Sequence, residues 1–467
     1  MTKIGLVGPS SQQRSIPFDA QRTINLFPVL DEKGREVSAL YGTPGLSLFA
    51  TAGIGPIRGA FAAANGRAFV VSNSGLYEVL SNGTTTLQGT LSTPSGIVSI
   101  DENGLQLGIC DGNSIYIFTY TTNVFVQVTD PDLPSVGTIT FIDGYFAANV
   151  NNSGKFFISA LYDGTSWAAL DFATAESSPD NLLRVYNSVG QLWLLGSKTT
   201  EIWSNNGAAS FPFARISGAK METGILAPHT AIAVDNSLFW VGQDNIGSGI
   251  VFRTQGFTPL RISTNPIELL IQKAPTPSTL RAYTYQEEGH PFYVITGGGM
   301  NTTLVYDIST QQWHERAYLN SFGVYEPHLG SCGMYAFNQQ LVGSRLNGKI
   351  YKMSLDLYSD DGDEISSERV YTHLSQEDTR IKFNQLEIAM ETGVGNQVAP
   401  AVNPQITLWI SSDGGKTYSN SYTTSFGAVG KYMTRAVFRR LGIRFICTFK
   451  IRITDPVKRV LIGSYLK

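Results

Sequence analysis

The sequence predicts an all-β fold: a β-propeller of about seven blades, with six as the nearest alternative, preceded by an extended segment and followed by a β-sandwich-like domain. Three observations predict it. The 47 glycines among 467 residues recur at short intervals beside Asn, Asp and Ser, which is the chemistry of tight hairpin turns. The runs between them are rich in Val, Ile, Thr, Tyr and Phe, residues that suit a pleated, half-buried surface. The strand–turn pattern repeats with a period of about 40–50 residues, that of propeller blades.

Taken in order, residues 1–43 show no periodicity, and Asn25-Leu26-Phe27-Pro28 reads as a short extended anchor. A segment of this kind is ordered when it lies on the rest of the chain or on a neighbouring subunit. Residues 44–356 hold the repeat. Units begin at Ile57, Ile97, near Gly137, at Leu182, at His229, near Leu280 and at Ser331. The second run of each unit, such as Ala68–Val71 or Leu238–Gly242, is continuously apolar, as expected of an innermost strand buried on both faces. Unit seven lacks a fourth strand. Gly45, Leu46, Leu48 and Phe49, just before unit one, form a candidate ring-closing strand that would join the two ends of the repeat and remove the last open edge. Residues 357–379 read as an acidic linker. Asp360-Asp361-Gly362-Asp363-Glu364 lacks the ligand spacing of a calcium loop and reads as solvated. Residues 380–467 read as long alternating strands of a smaller, basic all-β domain.

Charged residues make up 15% of the chain and the net charge is −3, which argues against a general nucleic-acid binder. The balance is uneven. Of 34 Lys and Arg and 37 Asp and Glu, 13 and 6 lie from Val370 onward, so that part carries +7 and the remainder −10. Arg435, Arg439, Arg440, Arg444, Lys450, Arg452, Lys458 and Arg459 are therefore candidates for docking to another subunit or a neighbouring ring. Strand alternation places Arg435 with Arg439 on one face and Arg440 with Arg444 on the other. Two charged faces suit a subunit interface better than a single groove for nucleic acid.

No catalytic, metal or cofactor site is expected. The five histidines show no metal-ligand spacing, and a G-x-S-x-G elbow is absent. Gly297-Gly298-Gly299 is followed by Met-Asn-Thr, which spells a hairpin turn and not a phosphate loop. Asp101, Asp111, Asp143, Asp235 and Asp307 recur near strand ends, where turn capping is the simpler role and a channel ring the bolder one. Ser411, Asp413, Gly415 and Thr417 match an Asp-box turn, a folding device found in sialidase propellers. A glycan-binding or glycan-cleaving propeller is thus the alternative reading, and it requires an arginine-rich pocket at the propeller centre. Cys110, Cys332 and Cys447 stand alone in strand-like runs, as expected of buried thiols in a reducing cytoplasm. The opening residues carry no apolar secretory core, and no stretch is long and apolar enough to span a bilayer.

Several unusual pieces occur in a fixed order: Glu201-Ile202-Trp203, Phe211-Pro212-Phe213-Ala214-Arg215 and Phe239-Trp240-Val241-Gly242, preceded by TINLFPV and YGTPGLSLFA. In these pieces the chain resembles the packaged-DNA stabilisation proteins of short-tailed bacteriophages, the tail hub or nozzle family, from about Asn25 to Ile267 and more loosely beyond. The resemblance implies a structural virion protein of the tail, assembled in the host bacterial cytoplasm. It implies a ring of identical subunits, hexameric by analogy, beneath the portal and adaptor rings. Such a ring would continue the DNA channel, help retain the packaged genome with non-specific DNA contact, and carry a needle or plug with spikes or fibres nearby. It carries over no catalytic residue.

Overall fold

Two-residue turns organise the chain, which is described here by a computed structural model covering residues 2–31, 38–175, 178–244, 247–376 and 379–467. Residues 1 and 32–37 of the N-terminal segment and 377–378 of the expected linker lie outside the described residues. In five repeat units the first two strands are joined by a pair of residues that both have positive φ: Asp143-Gly144, Val189-Gly190, Asp235-Asn236, Glu288-Gly289 and Phe337-Asn338. Such turns match the right-handed twist of the flanking strands.

Among the described residues these hairpins build seven antiparallel blades. The first blade runs Ile57–Ala62, Ala68–Ser72, Gly75–Val79 and Thr85–Thr90. The next three are built alike, beginning at Ser99, Val136 and Leu182. In the fifth blade the first strand is split into Gly224–Ile225 and Ile232–Val234, both paired with Ser237–Gln243. An eight-residue helix, Asn265–Gln272, follows this blade and buries Ile267 and Ile271 in the core between blades five and six. The sixth blade runs from Leu280 to Leu319. The seventh contains Gly330–Ala336, Gln339–Ser344 and Lys349–Ser354, and its fourth strand is Gly45–Thr51, antiparallel to Lys349–Ser354 with Leu46 opposite Met353.

Each pair of adjacent blades shares one apolar core. Phe69, Leu107 and Phe118 sit between blades one and two, and Ile57, Val70 and Leu341 between seven and one. The ring is therefore continuous. The second strands are buried, but they are not innermost: the first strand of each unit faces the axis and touches the first strands beside it. A strand sandwiched between neighbouring blades is as apolar as one at the centre, so hydrophobicity alone does not rank them.

The second domain is a sandwich, and it is not built from residues 380–467 alone. One sheet orders Leu26–Leu30, Ser38–Gly42, Val460–Leu466, Ile381–Met390 and Ala436–Arg444, with Thr2–Ile4 also pairing Val460–Leu466. The facing sheet continues blade six: Gln312–Leu319, then Arg22–Ile24, Ser367–Val370, Ile446–Ile453, Gln405–Ser411 and Tyr422–Ser425. Ile4, Leu6, Leu26 and Leu40 of the N-terminal segment are buried in the sandwich core beside Phe383, Phe438 and Phe449. The N-terminal segment thus docks on its own chain and welds the two domains edge to edge.

The expected solvated linker is corrected by this arrangement. Ser359–Asp360 lies parallel to the closing strand, with Asp360 opposite Leu46, and Ser367–Val370 is an interior sandwich strand. Asp360 is only 2% exposed, and its Oδ1 has no hydrogen-bond partner. Burial pushes its carboxyl up to about 6 despite Arg316 and Arg459 nearby. The folded state favours the protonated form, so this group adds stability below the ordinary carboxylate pKa and loses it as pH rises through about 6. Asp360→Asn is expected to stabilise the chain at pH 7.5 by about 2 kcal/mol, with the difference vanishing below about pH 4. Unfolding midpoints of both proteins across that range check it.

Candidate functional site

The first strands present side chains to the axis, and there they line a cavity of about 470 Å³ that is open to solvent. Six of the seven blades line it. Three arginines occupy it: Arg58 of blade one, Arg184 of blade four and Arg281 of blade six, with His229 in the break of blade five's first strand and bridged to Arg281. Each arginine follows an apolar residue early in its strand, a position that points inward.

The three are used differently. Arg58 spends its donors on the backbone of neighbouring turns: Nε on Gly96 O at 2.8 Å, Nη1 on Asn73 O and Thr93 O at 2.7 Å, and Nη2 on Ser95 O at 2.6 Å. It ties blade one to the segment that leads into blade two. Arg281 makes a single long contact, Nη1 to Ile57 O at 3.4 Å. Arg184 is 9% exposed, its ring contact is with Tyr186 at 5.5 Å, and its Nε and Nη1 have no hydrogen-bond partner among the described residues. Burial lowers the pKa of Arg184 and Arg281. His229 is held well below its ordinary value by burial first and then by Arg184 and Arg281, so it is neutral at pH 7. The described lining residues include no Asp or Glu. Asp101, whose charge acts on Arg184, accepts hydrogen bonds from Thr140 Oγ1 and the amides of Phe141 and Glu102. The central arginines were not anticipated from the sequence; the signal was their common phase in Ile57-Arg58, Leu183-Arg184 and Leu280-Arg281.

The other carboxylates weighed from the sequence act at turns. Asp111 Oδ1 accepts the amides of Asn113 and Ser114, and Asp307 Oδ1 those of Ser309 and Thr310. Asp143 and Asp235 occupy the two-residue turns themselves. Asp413 Oδ1 accepts from Ser411 Oγ at 2.6 Å and from the amides of Lys416 and Thr417, and Thr417 Oγ1 donates to its Oδ2 at 2.6 Å. Those bonds hold its carboxyl well below the usual range. Gly415 completes the turn with φ +90° and its amide on Ser411 Oγ.

The eight basic C-terminal residues do not form one patch. Arg459 is buried with Nη1 on Ile365 O at 2.9 Å, and burial lowers its pKa to about 10. Arg452 grips Glu368 at 2.7 Å and lies over the rings of Trp409 and Tyr325. Lys450 sits 4.1 Å from the Tyr418 ring centroid and 5.0 Å from that of Trp409. Arg435 pairs with Glu387, Lys458 with Glu391 at 3.1 Å, and Arg444 Nε reaches Ser412 at 2.9 Å. Arg439 and Arg440 remain exposed, with no ion pair among the described residues. The expected alternation fails between them. Arg439 pairs with Gln385 but Gly442 with Phe383, so an extra residue bulges out at Arg440, whose φ is +60°. A bulge lets two consecutive side chains leave the core face.

No curated protein matches the chain. Among solved structures, it is similar to the extracellular domain of a hybrid two-component system protein from B. thetaiotaomicron, at 9% identity and a TM-score of 0.47, covering 78% of this chain and 45% of that one. A second structure, described as the extracellular domain of a one-component system from the same organism, gives 10% identity, a TM-score of 0.45, and coverage of 75% and 45%. The chain thus spans less than half the length of those structures. Two family models do match, end to end. Residues 3–358 match the bacteriophage P22 Gp10 β-propeller, and residues 358–467 match the bacteriophage P22 Gp10 β-sandwich. With both domains of one family matched in order over nearly its whole length, the chain belongs to the bacteriophage P22 Gp10 family of tail hub, or nozzle, proteins.

Proposed function

We propose that this structural tail protein forms a ring, hexameric by family analogy, that continues the DNA channel, helps retain the packaged genome and anchors distal tail parts. The observation that carries the reading is the sheet shared by blade six and the sandwich. A closure loaded by packaged DNA must transmit force between its contact surfaces, and a continuous hydrogen-bonded sheet does so where a flexible linker would not. Ring symmetry multiplies each weak contact by the number of subunits. Of the eight basic residues, Arg439 and Arg440 keep guanidiniums available to dock on an adaptor or neighbouring subunit. The net charge of −10 outside the C-terminal part suits a lumen that lets DNA slide.

The purified chain, mixed with portal–adaptor complexes, is expected to add as one closed ring in a native mass measurement. Arg439→Glu with Arg440→Glu is expected to weaken that addition about tenfold or more while leaving the fold intact. A chain that stays monomeric beside those rings overturns the proposal.

A further inference from the structure

The axial cavity is lined by arginines that form no ion pair with any carboxylate among the described residues, Asp101 acting on Arg184 only through space. A buried guanidinium is normally paired or fully hydrogen-bonded, because leaving it otherwise is costly. Arg58 meets that rule and Arg184 does not: two of its nitrogens are buried and unpartnered in a cavity wall. Arg281, on the same wall, has one long contact. His229 bridges Arg281 and lines the same cavity as Arg184. The space is far larger than a water molecule and free of described carboxylates.

We propose that the centre of the propeller is an oxyanion site of the phosphate class, in which Arg184 and Arg281 hold the anion. Guanidinium groups present paired donors that match phosphate oxygens in a bidentate fork. A neutral His229 adds one donor without demanding a counter-charge. The volume of about 470 Å³ exceeds that of a bare phosphate, so the group can be free or carried on a small organic moiety. Guanidiniums that stay charged hold an anion without exchanging protons with it, so the site is proposed as a binding site.

Thermal unfolding and calorimetric titration of the full-length chain test this at constant ionic strength, with sodium chloride as the balancing salt. Inorganic phosphate and a nucleoside monophosphate form the two arms. Saturable binding is expected in at least one arm, with a rise in Tm on the order of 3 °C at a hundredfold excess over Kd. The tighter arm identifies whether the phosphate is free or carried. Arg184→Gln is expected to lower the affinity at least tenfold while leaving the unliganded Tm unchanged or higher, since it removes an uncompensated buried charge. Arg281→Gln is expected to lower the affinity similarly. No saturable effect of either ligand beyond that of sodium chloride, or equal binding by the Arg184→Gln, Arg281→Gln double variant, overturns the proposal.

Discussion

Replacing Arg369 with methionine is expected to destabilise the chain by about 3 kcal/mol and to expose the first two dozen residues to protease. Arg369 is fully buried, and burial alone pulls its pKa down to about 10, so it remains charged at neutral pH. Among the described residues it has no ion pair, and the charge of Asp19 acts on it only through space. Its donors go instead to the N-terminal segment: Nε to Leu6 O at 2.7 Å, Nη1 to Pro9 O at 3.1 Å and Thr23 Oγ1 at 2.8 Å, and Nη2 to Gln21 Oε1 at 2.6 Å. The segment wraps so closely that a Cβ on Gly8 would lie 2.7 Å from Nη2. Methionine relieves the desolvation of a charge, worth several kcal/mol. It also orphans four buried acceptors at about 1–3 kcal/mol each, and the second effect wins. Denaturant unfolding reads the first consequence, and timed proteolysis with mapping of the cut sites reads the second. An unfolding midpoint equal to the parent's, with the N-terminal segment still protected, would show that apolar packing of Leu6 and Leu26 alone holds it.

This contact also marks where the sequence stops being readable. The blades were legible because each is local: a hairpin spells its own turn, and the apolar run beside it spells its own burial. The start of every unit but the fifth fell within about two residues of the observed strand. The fifth was obscured because its first strand is broken. The welding strand Arg22–Ile24 could not be read, since three residues carry no periodicity and its partners, Glu315 and Ser367–Val370, lie about 300 residues away. Polarity misled at the same place. Glu315 is buried because Arg22 meets it at 2.5 Å while Ser10 and Thr302 complete its bonds, and Glu368 is buried beside Arg452. Burial of a charge depends on its partner, and the partner is a fact of topology. The same holds for the axis, where an arginine in phase with two others means nothing until the blades are closed into a ring. Val189 and Phe337, with positive φ, show the converse: a hairpin can impose a turn that its residues disfavour.

Closure of that ring sets the largest effect expected of any single substitution discussed. Leu46→Asp is expected to cost at least about 4 kcal/mol and to abolish cooperative unfolding of the propeller, while Leu48→Asp, two residues on, stays within about 0.5 kcal/mol of the parent. The contrast follows from geometry. Leu46 is 1% exposed, packed with Phe27, Val342 and Met353, whereas Leu48 is 51% exposed. The register is regular from Leu46 to Leu48 and shifts just beyond it, between the pairs Leu48–Tyr351 and Ala50–Ile350. The start of the strand is fixed as tightly: a Cβ on Gly45 would lie 2.5 Å from Leu357 O. A carboxylate at Leu46 would enter an apolar core beside the buried carboxyl of Asp360, compete with it for Arg316, and must either be buried at that cost or pull the strand away. Pulling it away opens Lys349–Ser354 as an edge, and it loosens the apolar cores that blade seven shares with blades six and one. Because every core in a closed ring is shared between two blades, the loss cannot stay local. Hydrogen exchange should therefore report lost protection in Lys349–Ser354 first and in the flanking blades with it. Equal midpoints for the two variants would mean that the ring is held by its other six junctions, and that the strand drawn from the N-terminal side serves only to cap an edge.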